Sequence, residues 1–167
     1  MTDESIIMQK AESFLGLTTH PTGSTNVIFN TDYYGKEISE PDWFWCVVFI
    51  WDVFRMCGKS HLFNNGEKTN RCDAVYKWGK ENNLIIPNDE GRYGDLAIYI
   101  LEDQPFAHIG LIYENNGDGS YTTYEGNTTP YIDSMERGVF RKTRYLKDIQ
   151  YIIRPKYNEN TVELSFL

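Results

Sequence analysis

Cys46 is the residue in this chain whose type and setting most strongly suggest covalent chemistry. It lies in P-D-W-F-W-C-V-V-F-I-W-D-V-F, which spans residues 41–54. A proline-led turn precedes an apolar run there, so the sequence predicts that Cys46 begins a helix. The unpaired N–H groups and positive end of a helix favour a thiolate, which makes a weak nucleophile reactive. The same residue in the same place is also typical of a buried structural cysteine.

A histidine and an acidic residue follow on two predicted strands. His108 lies in A-H-I-G-L-I-Y, residues 107–113, and Glu125 lies in Y-T-T-Y-E-G-N, residues 121–127. The intervening N-N-G-D-G is a dense turn signal, so we predict that the two strands pair as a hairpin. If the hairpin is centred between residues 116 and 117, His108 lies directly opposite Glu125, with Cβ atoms about 5 Å apart.

In this register, His108 and Glu125 would assist the thiol of Cys46. The Glu125 carboxylate would bond one imidazole nitrogen of His108 and leave the other for Cys46. Asn127 lies two residues beyond Glu125 and shares its face by the period-2 rule, as an auxiliary polar group. The prediction is a Cys-His-Glu arrangement of nucleophile, base and orienting group. It depends on the register, because a slip of one residue turns Glu125 away.

Five segments match a known family in order and spacing. They are G-S-T-N-V-I-F-N-T-D-Y-Y-G (23–35), W-C-V-V-F-I-W (45–51), G-D-L-A-I-Y (94–99), A-H-I-G-L-I-Y (107–113) and Y-E-G-N-T (124–128). Together they resemble the CHAP domain, the cysteine, histidine-dependent amidohydrolase/peptidase family within the papain-like NlpC/P60 group. The resemblance covers about residues 10–157.

The resemblance implies a fold, an activity and a set of site residues. The implied fold is α+β and papain-like, with N-terminal helices packed on an antiparallel β-sheet. Enzymes of the family cut peptidoglycan, either at the muramoyl–alanine amide or within the peptide. Carried over position by position, the catalytic residues are Cys46, His108, Glu125 and Asn127.

We expect no metal and no cofactor. Some relatives carry an acidic calcium loop before the cysteine, whereas the acidic residues here lack the D-x-D-x-[DN]-G pattern: Asp32, Glu37, Glu40 and Asp42. A zinc site built from Cys57, His61 and Cys72 is disfavoured, because paired C-x-x-C or H-x-x-x-H spacing is missing.

The pattern of elements predicts one domain of the α+β class. Helices are predicted first, at Ser5–Leu15, Cys46–Met56 and Asn70–Asn82, with a long irregular connection over residues 18–42. Strands are predicted later, at Leu96–Leu101, Ala107–Tyr113, Ser120–Glu125, Val139–Leu146 and Gln150–Arg154. Because 167 residues suit one core, we assign residues 1–157 to a single hydrolase domain and residues 158–167 to a C-terminal tail.

Charge and hydropathy limit the partners. A formal net charge of -8 argues against nucleic acid, and no run of residues approaches the length of a membrane span. Five basic residues gather late in the chain, at Arg137, Arg141, Lys142, Arg144 and Lys147. They fit a weak basic rim for an anionic polymer or a solvated strand face, and we favour the solvated face. We expect a monomer whose partner is bacterial peptidoglycan.

The sequence leaves the site of action open between two cases. With three cysteines and no apparent signal peptide, the protein is either cytoplasmic until released, as a phage lysin would be, or part of a longer chain exported to the cell wall. Two other functions compete with wall hydrolysis. One is a thiol hydrolase or toxin that acts on a cytosolic amide, and the other is a catalytically silent wall-binding module.

The scissile bond is the least determined part of the prediction. Cys-His-Glu chemistry serves an amide at the sugar–peptide junction and one inside the peptide alike. Aromatic residues near the nucleophile offer flat faces of the kind that stack on sugar rings, at Tyr33, Tyr34, Trp43 and Trp45. They favour the muramoyl–alanine amide, with a place in the core as the alternative for each of them.

Overall fold

The computed structural model describes residues 1–101 and 107–158, which form four α-helices and six β-strands. The helices are α1 (Asp3–Glu12), α2 (Ile28–Tyr34), α3 (Cys46–Met56) and α4 (Cys72–Glu81). The strands are β1 (Ile85–Ile86), β2 (Leu96–Tyr99), β3 (His108–Asn115), β4 (Ser120–Thr128), β5 (Gly138–Tyr145) and β6 (Ile149–Ile153). Apart from residue 158, the predicted tail lies outside the described residues.

The strands form one antiparallel sheet, in the order β1-β6-β2-β3-β4-β5. Because side chains alternate along each strand, the sheet has two distinct faces. One face packs against α3 and carries Ile98, Ile109, Leu111 and Tyr124 into the main core. The α+β class, with N-terminal helices packed on an antiparallel sheet, is confirmed.

The central helix α3 is almost entirely buried. All its residues from Cys46 to Phe54 are buried, and both of its ends fall where the sequence predicted them. Gly126 of β4 allows the helix to lie directly on the sheet, because a Cβ at that position would be 2.5 Å from the Cβ of Phe49. The close approach of α3 and β4 therefore requires glycine at position 126.

Helix α2 lies within the stretch that the sequence predicted to be irregular. It has seven residues, no side-chain N-cap, and ends at Gly35, whose φ of 74° is in the left-handed region. Its sequence I-F-N-T-D-Y-Y contains β-branched, aromatic and turn-forming residues that favour helix weakly. Tertiary packing stabilises it instead, since Phe29 is fully buried in the core against Phe49 and Trp45.

Asp95, in the turn before β2, is the buried member of an ion pair. Its side chain is buried and accepts two hydrogen bonds from the Arg154 guanidinium, each 2.9 Å long. It also accepts from the Arg92 amide at 2.9 Å, which closes the turn before β2. Burial raises the pKa of Asp95, although its hydrogen bonds with Arg154 and Arg92 oppose the rise. The pair therefore fixes the start of β2 beside the end of β6.

Candidate active site

Cys46 is the first residue of α3, where its thiol lies beside unpaired helix amides. The N-cap residue Trp45 provides no side-chain cap. Hydrogen bonding to Cys72 lowers the pKa of Cys46, burial opposes this, and His108 and the Val47 backbone amide lower it further. The net result is a pKa well below the ordinary thiol value, so the structure favours the thiolate.

His108 is the first residue of β3 and is buried between two partners. Its Nε2 lies 3.0 Å from Oε1 of Glu125, while Cys46 interacts with the same ring. A carboxylate can only accept, so Nε2 carries the proton and Nδ1 is left for the thiol. Burial lowers the pKa of His108, but hydrogen bonds with Cys46 and Glu125 outweigh it and raise the pKa to about 9. The geometry therefore favours a thiolate–imidazolium pair, which titrates as one unit.

The predicted register of the β3–β4 hairpin is wrong by two residues at the site. Leu111 lies opposite Tyr124, so continuing the ladder by one residue sets Gly110, not His108, opposite Glu125. The shift arises because the turn is centred at residue 118, with Asp118 accepting from the Ser120 amide, and because the ladder contains a bulge near residue 113. An even shift preserves side-chain parity, so Glu125 keeps the face that the prediction gave it.

Gly110 gives Glu125 the space to reach His108 diagonally. A Cβ at position 110 would lie 2.8 Å from Cγ of Glu125 and 2.9 Å from the Tyr99 hydroxyl. Any larger residue there would therefore displace the carboxylate or the phenol. The hydrogen bond between His108 and Glu125 thus depends on a glycine two residues along the strand.

Arg144 of β5 completes the polar cluster, although it was not among the predicted site residues. Its guanidinium donates to Oε1 and Oε2 of Glu125 at 2.6 and 2.8 Å, and Thr123 donates to Oε2. Burial raises the pKa of Glu125, but the hydrogen bonds from Arg144 and His108 outweigh it and hold the pKa below its usual range. Glu125 is therefore a permanent carboxylate that fixes the orientation of the imidazole.

Cys72 is a second thiol at the site, and it was not predicted as a site residue. It is the first residue of α4, half-buried against the main core, and its thiol interacts with Cys46. Hydrogen bonding to Cys46 and burial raise the pKa of Cys72 far above the ordinary value, so its S–H remains protonated. Two helix N-termini therefore meet at one thiolate, with Cys72 as the donor and Cys46 as the acceptor.

Asn127 is the predicted residue with the least contact. It is half-buried, with a φ of 53° in the left-handed region, and β4–β5 pairing is irregular between Glu125 and Thr128. Its side chain makes no hydrogen bond with any residue in 1–101 or 107–158. The structure thus brings Cys46, His108 and Glu125 together, whereas Asn127 forms no hydrogen bond with any of them.

The loop before the nucleophile is fixed by α2. The Asn30 side-chain amide donates to the carbonyl oxygens of Thr25 and Trp43 at 2.8 and 3.2 Å. Trp45, one of the aromatic residues considered for sugar binding, is fully buried and stacks on Phe29. Tyr34 and Trp43 remain half-buried, with their ring centroids 4.6 Å apart.

The other groups considered for metal binding have separate roles. Within the described ranges, no cluster of three or more potential metal-ligating side chains is found. Asp32 binds Arg55 at 3.0 Å, and the half-buried thiol of Cys57 lies 3.8 Å from the Ile6 carbonyl oxygen. None of the helices in the described part of the chain is both long and apolar enough to span a membrane.

Comparison with known proteins identifies the fold. No protein-family model matches the chain, and no curated protein matches it in sequence. Among solved structures, the chain is similar to the crystal structure of the wild-type endolysin LysIME-EF1, with a TM-score of 0.55 and 12% identity. The similarity covers 95% of this chain and 67% of that chain. The protein therefore shares its α+β fold with an endolysin.

Proposed function

We propose that this protein is a cysteine-dependent peptidoglycan hydrolase of the CHAP type, with the papain-like arrangement of helix and sheet. The observation that carries the proposal is the contact of Cys46, at the start of α3, with the imidazole of His108, which is itself bonded to Glu125. An endolysin with a similar fold supports the bacterial cell wall as the place of action. Residues 1–157 would form the hydrolase domain.

The first chemical step would form a thioester. The Cys46 thiolate attacks the carbonyl carbon of an amide, and the carbonyl π electrons move to oxygen as the C–S bond forms. The Cys46 backbone N–H, at the free end of α3, is in place to stabilise that oxyanion. The His108 imidazolium then gives its Nδ1 proton to the amine, which leaves as the C–N bond breaks.

The second step would restore the thiol by hydrolysis. Neutral His108 takes a proton from water, the hydroxide attacks the thioester carbonyl, and the tetrahedral intermediate expels the Cys46 thiolate. The Glu125 carboxylate holds Nε2–H throughout and stabilises the imidazolium whenever it forms. No step requires a metal ion or a cofactor.

We propose the muramoyl–alanine amide as the scissile bond, on the basis of the Tyr34 and Trp43 pair, whose faces suit a sugar ring. Cleavage there frees intact stem peptides with a new alanine amino terminus and leaves lactyl-bearing glycan chains. Mass spectrometry of digested walls checks this. New amino groups on glycine or a cross-bridge residue would identify an endopeptidase instead.

Digestion of purified cell walls is the experiment that tests the proposed function. The full chain should clear a wall suspension, and iodoacetamide near neutral pH should abolish clearing in step with labelling of Cys46. Cys57 is the matched control, because burial raises the pKa of its thiol, so it should label slowly. Clearing that persists after complete modification of Cys46 would exclude cysteine catalysis.

A further inference from the structure

A cavity of about 500 Å³ adjoins the polar cluster on the side of Arg144. It lies between the β4–β5 connection, strand β5 and the turn that follows it. Its polar lining includes Thr128, Ser134, Arg137, Lys142, Arg144 and Lys147. We call this cavity the basic groove. Arg144 links it to the candidate active site, because the same side chain lines the groove and binds Glu125.

The basic groove adds to the expectation of a solvated strand face, because two members of the basic cluster are only partly exposed. Four of the five clustered basic residues line it, while Arg141 lies elsewhere, with its guanidinium 4.9 Å from the Tyr113 ring centroid. Lys142 is half-buried and Arg144 has a side chain only 12% exposed, so neither belongs to an open solvated surface. Such a concentration of cations is unexpected in a chain of net charge -8.

Lys142 is a half-buried cation of the groove that makes no salt bridge with the part of the chain that the structure describes. Its Nζ donates to the Thr129 carbonyl oxygen at 2.8 Å, and within residues 1–101 and 107–158 it has no carboxylate partner. Burial lowers the pKa of Lys142 and the neighbouring Arg144 lowers it further, while the charge of Glu125 opposes both effects. An ammonium group has three N–H donors and the Thr129 carbonyl takes one, so a half-buried Lys142 without a salt bridge to these residues favours an anion bound beside it.

The remaining lining shows what kind of anion fits. Asp133 and Asp148 also line the groove, and they would repel a polymer that carries only negative charge. A ligand with charges of both signs can satisfy the lysines and the aspartates together. Ile132, which is 87% exposed at the same groove, offers an apolar contact for a side chain. These features match a short peptide that carries carboxylates and an ammonium group.

We propose that the basic groove binds the peptide stem of peptidoglycan through a free carboxylate, held by Lys142 and Lys147. The proposal rests on the proposed function, because it takes the groove, which Arg144 joins to Glu125, as the site for the peptide side of the substrate. The peptide stem bears free carboxylates and a diamino acid, which is the mixed charge that the lining requires. Specificity for the wall peptide would thus be built into the sheet that orients the imidazole.

Calorimetry on the full chain carrying Cys46→Ala tests the groove without turnover. The ligands are a synthetic stem tetrapeptide with free carboxylates and the same peptide with its carboxylates converted to carboxamides. We expect the carboxylate form to bind at least ~10-fold more tightly, which corresponds to about 1.4 kcal/mol. In the added double variant Lys142→Gln/Lys147→Gln, the ratio should fall to about 2 or less.

A matched control removes the same charge elsewhere. Lys77→Gln/Lys80→Gln alters two exposed lysines on α4 and should leave the carboxylate preference intact. If the groove variant is poorly folded by circular dichroism, Lys147→Gln alone serves, because Lys147 is exposed, and it should still reduce the preference. Equal affinity of the parent protein for the two peptides overturns the proposal. Tighter binding of a glycerol-phosphate polymer than of the stem peptide also overturns it.

Wall clearing by the wild-type chain separates this proposal from the proposed function. Clearing without any carboxylate preference leaves the hydrolase in place and removes the groove as its peptide site. A carboxylate preference that the groove variant loses, in a protein that clears no wall, supports the groove and excludes the hydrolase.

Discussion

The two faces of the sheet position the catalytic groups by different physical means. The face toward α3 is apolar and close-packed, and Gly126 lets the helix that bears Cys46 rest on β4. The opposite face has a smaller apolar cluster and, beside it, charges, with Arg144 bound to Glu125 and Glu125 bound to His108. The faces meet at the start of β3, where the imidazole contacts both Cys46 and Glu125. Packing therefore places the nucleophile, and ion pairing sets the charge and orientation of its base.

This division teaches what each kind of interaction can do. Dispersion and apolar burial fix a backbone but carry no information about protonation. Charged hydrogen bonds decide which tautomer and which ionisation state a ring adopts, at a desolvation cost that only complete pairing offsets. Glu125 makes such a complete set, with partners on His108, Thr123 and Arg144. Mutations on one face should therefore change stability, and those on the other should change the pH dependence of activity.

Removal of either reacting group should have the largest effect. Cys46→Ala and His108→Ala should each reduce wall clearing by at least ~10³-fold, because residues that act as one catalytic unit lose nearly the whole rate when either is absent. Thermal unfolding should show a native fold in both. Cys57→Ala is the matched control and should retain nearly full activity. A His108→Ala enzyme with more than about a tenth of wild-type activity would contradict the assigned base.

Glu125→Gln should reduce activity less, by about 10- to 100-fold, and should move the pH profile. Wild-type activity should fall as pH rises through about 9, where the His108 imidazolium loses its proton. Loss of the carboxylate removes one interaction that raises this pKa, so the alkaline limb should shift to lower pH. Rates of a soluble muropeptide substrate measured from pH 5 to 10 would show the shift.

Glu114→Gln is the control for this change. Glu114 is exposed on β3 of the same hairpin, so its replacement removes an equal charge away from the imidazole. Its profile should overlay that of the wild type. An unchanged alkaline limb in Glu125→Gln would mean that Asn127 or another group orients His108.

A single added methyl on each face compares the two faces directly. Gly126→Ala meets Cβ of Phe49 at 2.5 Å, an atom fixed to the α3 backbone, so unfolding free energy should fall by about 1–3 kcal/mol. Gly110→Ala meets Cγ of Glu125 at 2.8 Å, an atom of a side chain that can rotate. Gly110→Ala should therefore lower the unfolding free energy less than Gly126→Ala does, and it should reduce activity more. Denaturant unfolding and muropeptide turnover should be measured on both variants. Equal losses in the two variants, or losses in the reverse order, would contradict the difference between the faces.

Cys72 should give the smallest effect. Cys72→Ala removes the donor that lowers the pKa of Cys46, so the rate of iodoacetamide labelling near pH 6 should drop by a few-fold. Cys72→Ser keeps a hydroxyl donor and should restore much of that rate. Equal labelling rates in the alanine and serine variants would show that Cys72 acts on Cys46 through packing alone.

The sequence predicted best where the signals are local. Helix α3 was found with both ends because an unbroken apolar run follows a proline-led turn and stops before Gly58. The face of Glu125 was correct despite a wrong register, since alternation survives a shift of two residues. Helix α2 was missed because its residues favour helix weakly and Phe29 in the core stabilises it.

Non-local partners could not be predicted in the same way. Arg144 reaches Glu125 only because β5 pairs with β4. The sequence offered one indication: Arg144 lies two residues from Lys142 on the same strand, so both side chains are on one face of the sheet. Cys72 reaches Cys46 because two helices end at one point, which spacing along the chain does not record. Trp45, considered as a sugar platform, is instead part of the core, as the apolar run that it begins would also allow.

The far end of α3 has a practical consequence for engineering. Beyond that end, Asp3 binds Lys59 at 2.8 Å and accepts a hydrogen bond from the Asn158 amide at 3.1 Å. Positions 3 and 158 are thus neighbours, separated from Cys46 by a helix of 11 residues, which is about 16 Å long. A short peptide linker could join them to make a circular permutant, and an affinity module fused near either position would project away from the nucleophile.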